Sequence, residues 1–109
     1  TFCHITYPLT PEFYKLRRDV LQWQLKQEIP IIAIEVGLEP WDKKQIQELS
    51  YDYQKQLLSP EEFSEDIDYA IRTGFDTYYL WGAEWWYWAK ETQNDDRYWN
   101  AVQELIHHN

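Results

Sequence analysis

The chain has little of several things that would place it at once. Its 109 residues contain one cysteine, Cys3, three glycines and only ten lysines and arginines against nineteen aspartates and glutamates. A single cysteine excludes an internal disulfide framework and offers no metal-ligand spacing. The formal charge of −9 repels phosphate backbones, so nucleic acid is not an expected partner. No apolar run approaches the length that spans a bilayer, and "TFCHITYPLTPEF" lacks the charged start and apolar core of a signal peptide. No metal or organic cofactor follows from the sequence.

Aromatic residues, by contrast, are plentiful and concentrated. "GFDTYYLWGAEWWYWAKE", residues 74 to 91, holds four of the seven tryptophans and three of the nine tyrosines around Glu84. Tryptophan and tyrosine carry polar atoms that need partners when buried, so a core alone is a poor reason for such a cluster. The acidity is uneven as well. Residues 1 to 58 carry seven basic against eight acidic side chains, and residues 59 to 109 three against eleven.

Local signals divide the chain into alternating elements. Thr10-Pro11 opens a helix that ends before Pro30 and carries Phe13, Leu16, Val20 and Trp23 on one face. "PIIAIEV" reads as a strand buried on both faces. The loop "GLEPWDKK" then leads into a weaker helical pattern through Ile46, Leu49, Tyr53 and Leu57. Ser59, Pro60 and Glu62 spell a capping box, and Gly74 stops the helix that follows. Most of the acidic excess there is a helix start complementing the macrodipole. "FDTYYLWG" reads as a second strand, and Asp95-Asp96 begin a last helix. Strands separated by helices predict parallel βαβ units with ligands at the carboxyl ends of the strands.

Both strands run into acidic and aromatic residues at those ends. The first gives Glu35, Glu39 and Trp41; the second gives Trp81, Glu84, Trp85 and Trp86. Carboxylates among indoles suit carbohydrate, because a sugar ring offers an apolar face to an aromatic and its glycosidic bond breaks between two carboxyl groups. Consecutive residues point in different directions, so about half of Trp85 to Trp88 are expected to pack rather than face a ligand.

"PIIAIEVG" resembles the strand-seven segment of the glycoside hydrolase clan built on the (β/α)8 TIM barrel, where a hydrophobic strand ends in the nucleophile glutamate. "YYLWG" is similar to that clan's strand eight and "CHITYP" to its strand-six end. The string "EPW … SPEEF … GFDTYYLWGAEWWYW" resembles a group of uncharacterised bacterial barrel proteins labelled as glycoside hydrolases. The resemblance implies Glu35 as nucleophile of a retaining enzyme, Trp81 as the floor of a sugar subsite, and His4 and Tyr7 as positioning residues. It further implies that residues 1–109 are the C-terminal portion of one α/β barrel domain, about strands six to eight, with the acid/base carboxylate lying upstream. Glu39, Trp41, Glu84 and Trp85 complete the expected carbohydrate-binding set. The alternative is a domain that binds glycan or a protein partner through the aromatic cluster without catalysis.

Overall fold

The computed structural model describes residues 9–108. In chain order the elements are α1 (Pro11–Leu25), β1 (Ile32–Gly37), a 3-10 turn (Ile46–Glu48), α2 (Tyr51–Leu57), α3 (Pro60–Arg72), β2 (Thr77–Trp81), α4 (Ala83–Thr92) and α5 (Arg97–His108). Their bounds follow from local chemistry. The Ser59 hydroxyl accepts the Glu62 N–H at 3.2 Å to start α3. Ser50 caps α2 in the same way, accepting from the Tyr53 N–H.

The sheet has two parallel strands, with Ile32 opposite Thr77, Ala33 opposite Tyr78, Val36 opposite Leu80 and Gly37 opposite Trp81. Between Ala33 and Val36 the register slips, so that Ile34 and Glu35 on β1 stand against the single residue Tyr79 on β2, a bulge-like irregularity. Val36 and Leu80 pack towards the helices. Ile32, Ile34, Tyr79 and Trp81 lie exposed on the other face. The β-branched run predicted burial on both faces; only one is covered.

The core is made by helices. Phe63 and Ile67 of α3, Trp85, Trp86 and Ala89 of α4, and Tyr98 and Val102 of α5 form one cluster closed by Leu38 and Leu58. Ring edges meet ring faces there: Trp85 and Tyr98 have centroids 4.6 Å apart, Phe63 and Tyr98 5.1 Å, Phe63 and Trp86 5.9 Å. Each polar handle is satisfied. The Tyr98 hydroxyl donates to the Leu58 carbonyl at 2.8 Å and the Trp86 indole N–H to the Leu38 carbonyl at 2.6 Å. Among the described residues no buried side-chain nitrogen or oxygen lacks a partner.

α1 leans on α3 through Tyr14 against Tyr69, Arg72 to Glu12 at 2.9 Å, and a hydrogen bond from the Tyr69 hydroxyl to the Leu9 carbonyl. Arg18 reaches the Gly74 carbonyl at 2.5 Å. This contact uses the Pro11, Tyr14 and Arg18 side of the helix. The apolar stripe read from the sequence points away from this contact, with Phe13, Leu16, Val20 and Trp23 all exposed.

The (β/α)8 barrel reading does not hold: among the described residues the α/β architecture is a two-stranded parallel sheet, with no barrel fragment, and the core comes from α3, α4 and α5. Alternation of strand and helix cannot tell one βαβ unit from a slice of a barrel, since both bury one strand face under the crossover. The aromatic string does follow the end of the second strand, and it forms a helix, α4, that the sequence pattern did not assign. Among the described residues no helix is long and apolar enough to cross a membrane.

Candidate functional site

The sheet and α4 join at a close approach of three chain segments. β1 ends at Gly37, and the Leu38 N–H donates to the Trp81 carbonyl at 2.9 Å. Gly82 follows with φ at 125°, and its carbonyl accepts the N–H groups of Trp85 and Trp86 at 3.0 and 3.1 Å, starting α4. The helix then turns Trp85 and Trp86 inward, Tyr87 outward and Trp88 to an intermediate position. The expected split of the aromatic string between packing and exposure is what α4 produces.

One consequence is a cavity of about 470 Å³ beyond the carboxyl ends of both strands. Glu39 from the loop after β1, Gln47 from the 3-10 turn, and Glu84, Trp85 and Trp88 from α4 line it, with Ile46 and Leu49 as apolar wall. Gln54 of α2 forms its base and is only 2% exposed. The Gln54 side-chain amide donates to the Ile46 and Leu49 carbonyls at 3.1 and 3.0 Å, and its oxygen accepts the Trp85 indole N–H at 2.8 Å. These bonds use both amide hydrogens of Gln54 and one lone pair of its oxygen, so Gln54 holds the wall and the indole in place and has no hydrogen left to donate to a ligand.

Behind the pocket, Tyr51 meets Trp88 edge to face at 5.6 Å and gives its hydroxyl to Asp95 at 2.6 Å. Asp95 also takes two bonds from the Arg97 guanidinium, each 2.8 Å. Hydrogen bonds from Arg97 first, and from Tyr51, outweigh burial and hold the Asp95 carboxyl well below the usual carboxylate range. Burial and the bond to Asp95 push the Tyr51 phenol up. A carboxyl group whose native pKa is depressed adds stability that is whole above its unfolded value and fades as pH falls further. The Tyr51–Asp95–Arg97 link is thus expected to support the fold down to about pH 4 and to be lost progressively below it. Asp95→Asn should lower the urea midpoint at neutral pH and flatten its decline in acid, read from unfolding curves across pH.

The sequence-predicted residues divide into groups. Glu39, Glu84 and Trp85 come together in the pocket. Glu35 stands apart from the pocket, exposed at the register shift of β1, and Trp81 is 57% exposed at the end of β2. Trp41 is 67% exposed in the loop after β1 and does not line the pocket. His4, Tyr7 and Cys3 lie outside the described residues. Sequence reasoning left Trp88 and Gln54 out. Trp88 follows Glu84 by four residues and Trp85 by three, the spacing that puts them on one helical face. Nothing in the sequence marks Gln54, whose role depends on distant partners.

A second cavity, of about 440 Å³, runs beside α1 between Leu16, Val20, Leu21, Ile31 and Phe75. Its charged lining is Arg17 and Arg18, with Arg18 already bound to Asp19 and the Gly74 carbonyl. Among the described residues no group of three or more His, Cys, Asp or Glu side chains could hold a metal ion. The chain matches no family model, no curated protein and no solved structure.

Proposed function

We propose that this protein recognises carbohydrate in the pocket at the strand ends, and that the chemistry it serves is hydrolysis of an O-glycosidic bond. The observation that carries the first part is the convergence of two indoles and two carboxylates on one cavity. Trp85 and Trp88 supply apolar wall for a sugar ring, while Glu39 and Glu84 accept its hydroxyls. The cavity falls in the size range of small-ligand sites.

Hydrolysis is supported by the presence of two carboxyl groups in the same lining, since acid and base must flank the scissile bond. Glu39 and Glu84 are the candidates the geometry favours over Glu35. Binding and turnover separate the roles. Trp88→Ala should weaken glycan affinity about tenfold, the scale of one lost aromatic contact. Glu39→Gln or Glu84→Gln should remove hydrolysis in a panel of oligosaccharides. Loss of turnover on Glu35→Gln alone, with affinity kept, would move the chemistry to the open sheet face. Binding without turnover by the unsubstituted protein would reduce its function to recognition.

A further inference from the structure

The pocket is one-sided in charge. Among the described residues its ionisable lining is Glu39 and Glu84, with no lysine, arginine or histidine. The basic residues of the surrounding helices are already matched. Lys55 of α2 pairs with Asp52 at 3.3 Å and lies 4.9 Å over the Tyr51 ring. Lys90 of α4 pairs with Glu91 at 3.0 Å, and Arg97 of α5 with Asp95 at 2.8 Å. Lys43 and Lys44 are exposed in the loop after β1 and do not line the cavity. Among the described residues no ion pair engages Glu39 or Glu84.

Resting on the carbohydrate reading, we propose that the glycan this pocket takes carries a protonated amine: an oligosaccharide of unacetylated amino sugars. An ammonium held in the cavity with these two carboxylates is attracted by both, while Trp85 and Trp88 line the same cavity and supply apolar wall for the sugar ring. The same lining disfavours uronic acids and phosphorylated sugars. Their charge would meet Glu39 and Glu84 with no cation in the lining to offset the repulsion.

The test compares two ligands of one backbone and length, the β-1,4-linked tetramers of glucosamine and of N-acetylglucosamine, by calorimetry at moderate salt. The glucosamine tetramer is expected to bind about tenfold tighter, the scale of two partly exposed ion pairs. Glu39→Gln combined with Glu84→Gln should abolish that preference. Glu61→Gln combined with Glu65→Gln, which removes the same charge from exposed α3 positions, should leave it intact. Equal affinities for the two tetramers would overturn the inference while leaving glycan recognition standing. So would a preference that survives loss of Glu39 and Glu84, or one that vanishes with Glu61 and Glu65, because net charge would then be its source. Binding of neutral glycans but of neither tetramer would also overturn it. Failure of every glycan to bind would remove the carbohydrate reading itself.

Discussion

Gly82→Ala is expected to be among the most damaging single substitutions in this chain, lowering stability by about 3 kcal/mol. Two independent causes add. The backbone at Gly82 has φ at 125°, where a Cβ is strongly disfavoured. The new methyl group would also sit 2.7 Å from the Leu38 carbonyl oxygen and 3.1 Å from the Trp86 indole nitrogen. Neither neighbour can yield easily, because the Trp86 indole N–H is bonded to that same carbonyl and both groups are buried in the core. Relief would require β1, β2 and α4 to separate where they meet. A urea titration should show an earlier midpoint, and Gly37→Ala, with no atom within 4 Å of the added Cβ, should be much milder.

Gln54→Ala carries the second large effect, about 3 kcal/mol, and links stability to the site. The deletion leaves the Trp85 indole N–H and the Leu49 carbonyl without this partner, removes one of the two bonds the Ile46 carbonyl accepts, and opens space at a position 2% exposed. Unsatisfied buried groups and a cavity each cost on the order of 1–3 kcal/mol, less what water recovers by entering the pocket. Gln54→Glu should not rescue it. The carboxylate could still accept from Trp85 but would turn an oxygen towards two carbonyl oxygens. Both variants should lose glycan affinity together with stability, because Gln54 positions Trp85 and the wall formed by Ile46 and Leu49. Trp88→Ala should instead lose affinity with a smaller change in midpoint, since Trp88 is only partly buried at the edge of the core.

How far the sequence reached depends on whether the decisive interaction is local. α3 was legible because its signals lie next to one another: Ser59, Pro60 and Glu62 at the start, Gly74 after the end. Both strands were legible as short apolar or aromatic runs. α4 was not, because four aromatic residues in succession hide the 3.6-residue period, and Gly82 read as the end of the strand "FDTYYLWG" rather than as a helix cap. The direction of α1 was lost for another reason. Its apolar stripe is real, but contacts from Tyr14 and Arg18 to α3 and Gly74 decide which side docks. The barrel expectation came from the resemblance of short strand segments such as "PIIAIEVG" and "YYLWG" to barrel strands, and segments of that length do not contain the number of strands in the sheet. Within the site, Glu39, Glu84 and Trp85 were visible as acidic and aromatic residues at strand ends. Their separation from Glu35 was not, because the bulge at Ile34 and Glu35 and the exposed sheet face are products of tertiary pairing.

Sugar binding at α4 is most directly tested by titrating neutral and amino oligosaccharides into isotope-labelled protein while following the seven tryptophan indole N–H resonances. Saturable movement of the Trp88 signal, accompanied by Trp85 and absent from Trp23 on the exposed side of α1, is the predicted result. No movement with any glycan, or shifts confined to Trp41 and Trp81, would contradict a carbohydrate site in the Glu39–Glu84 pocket.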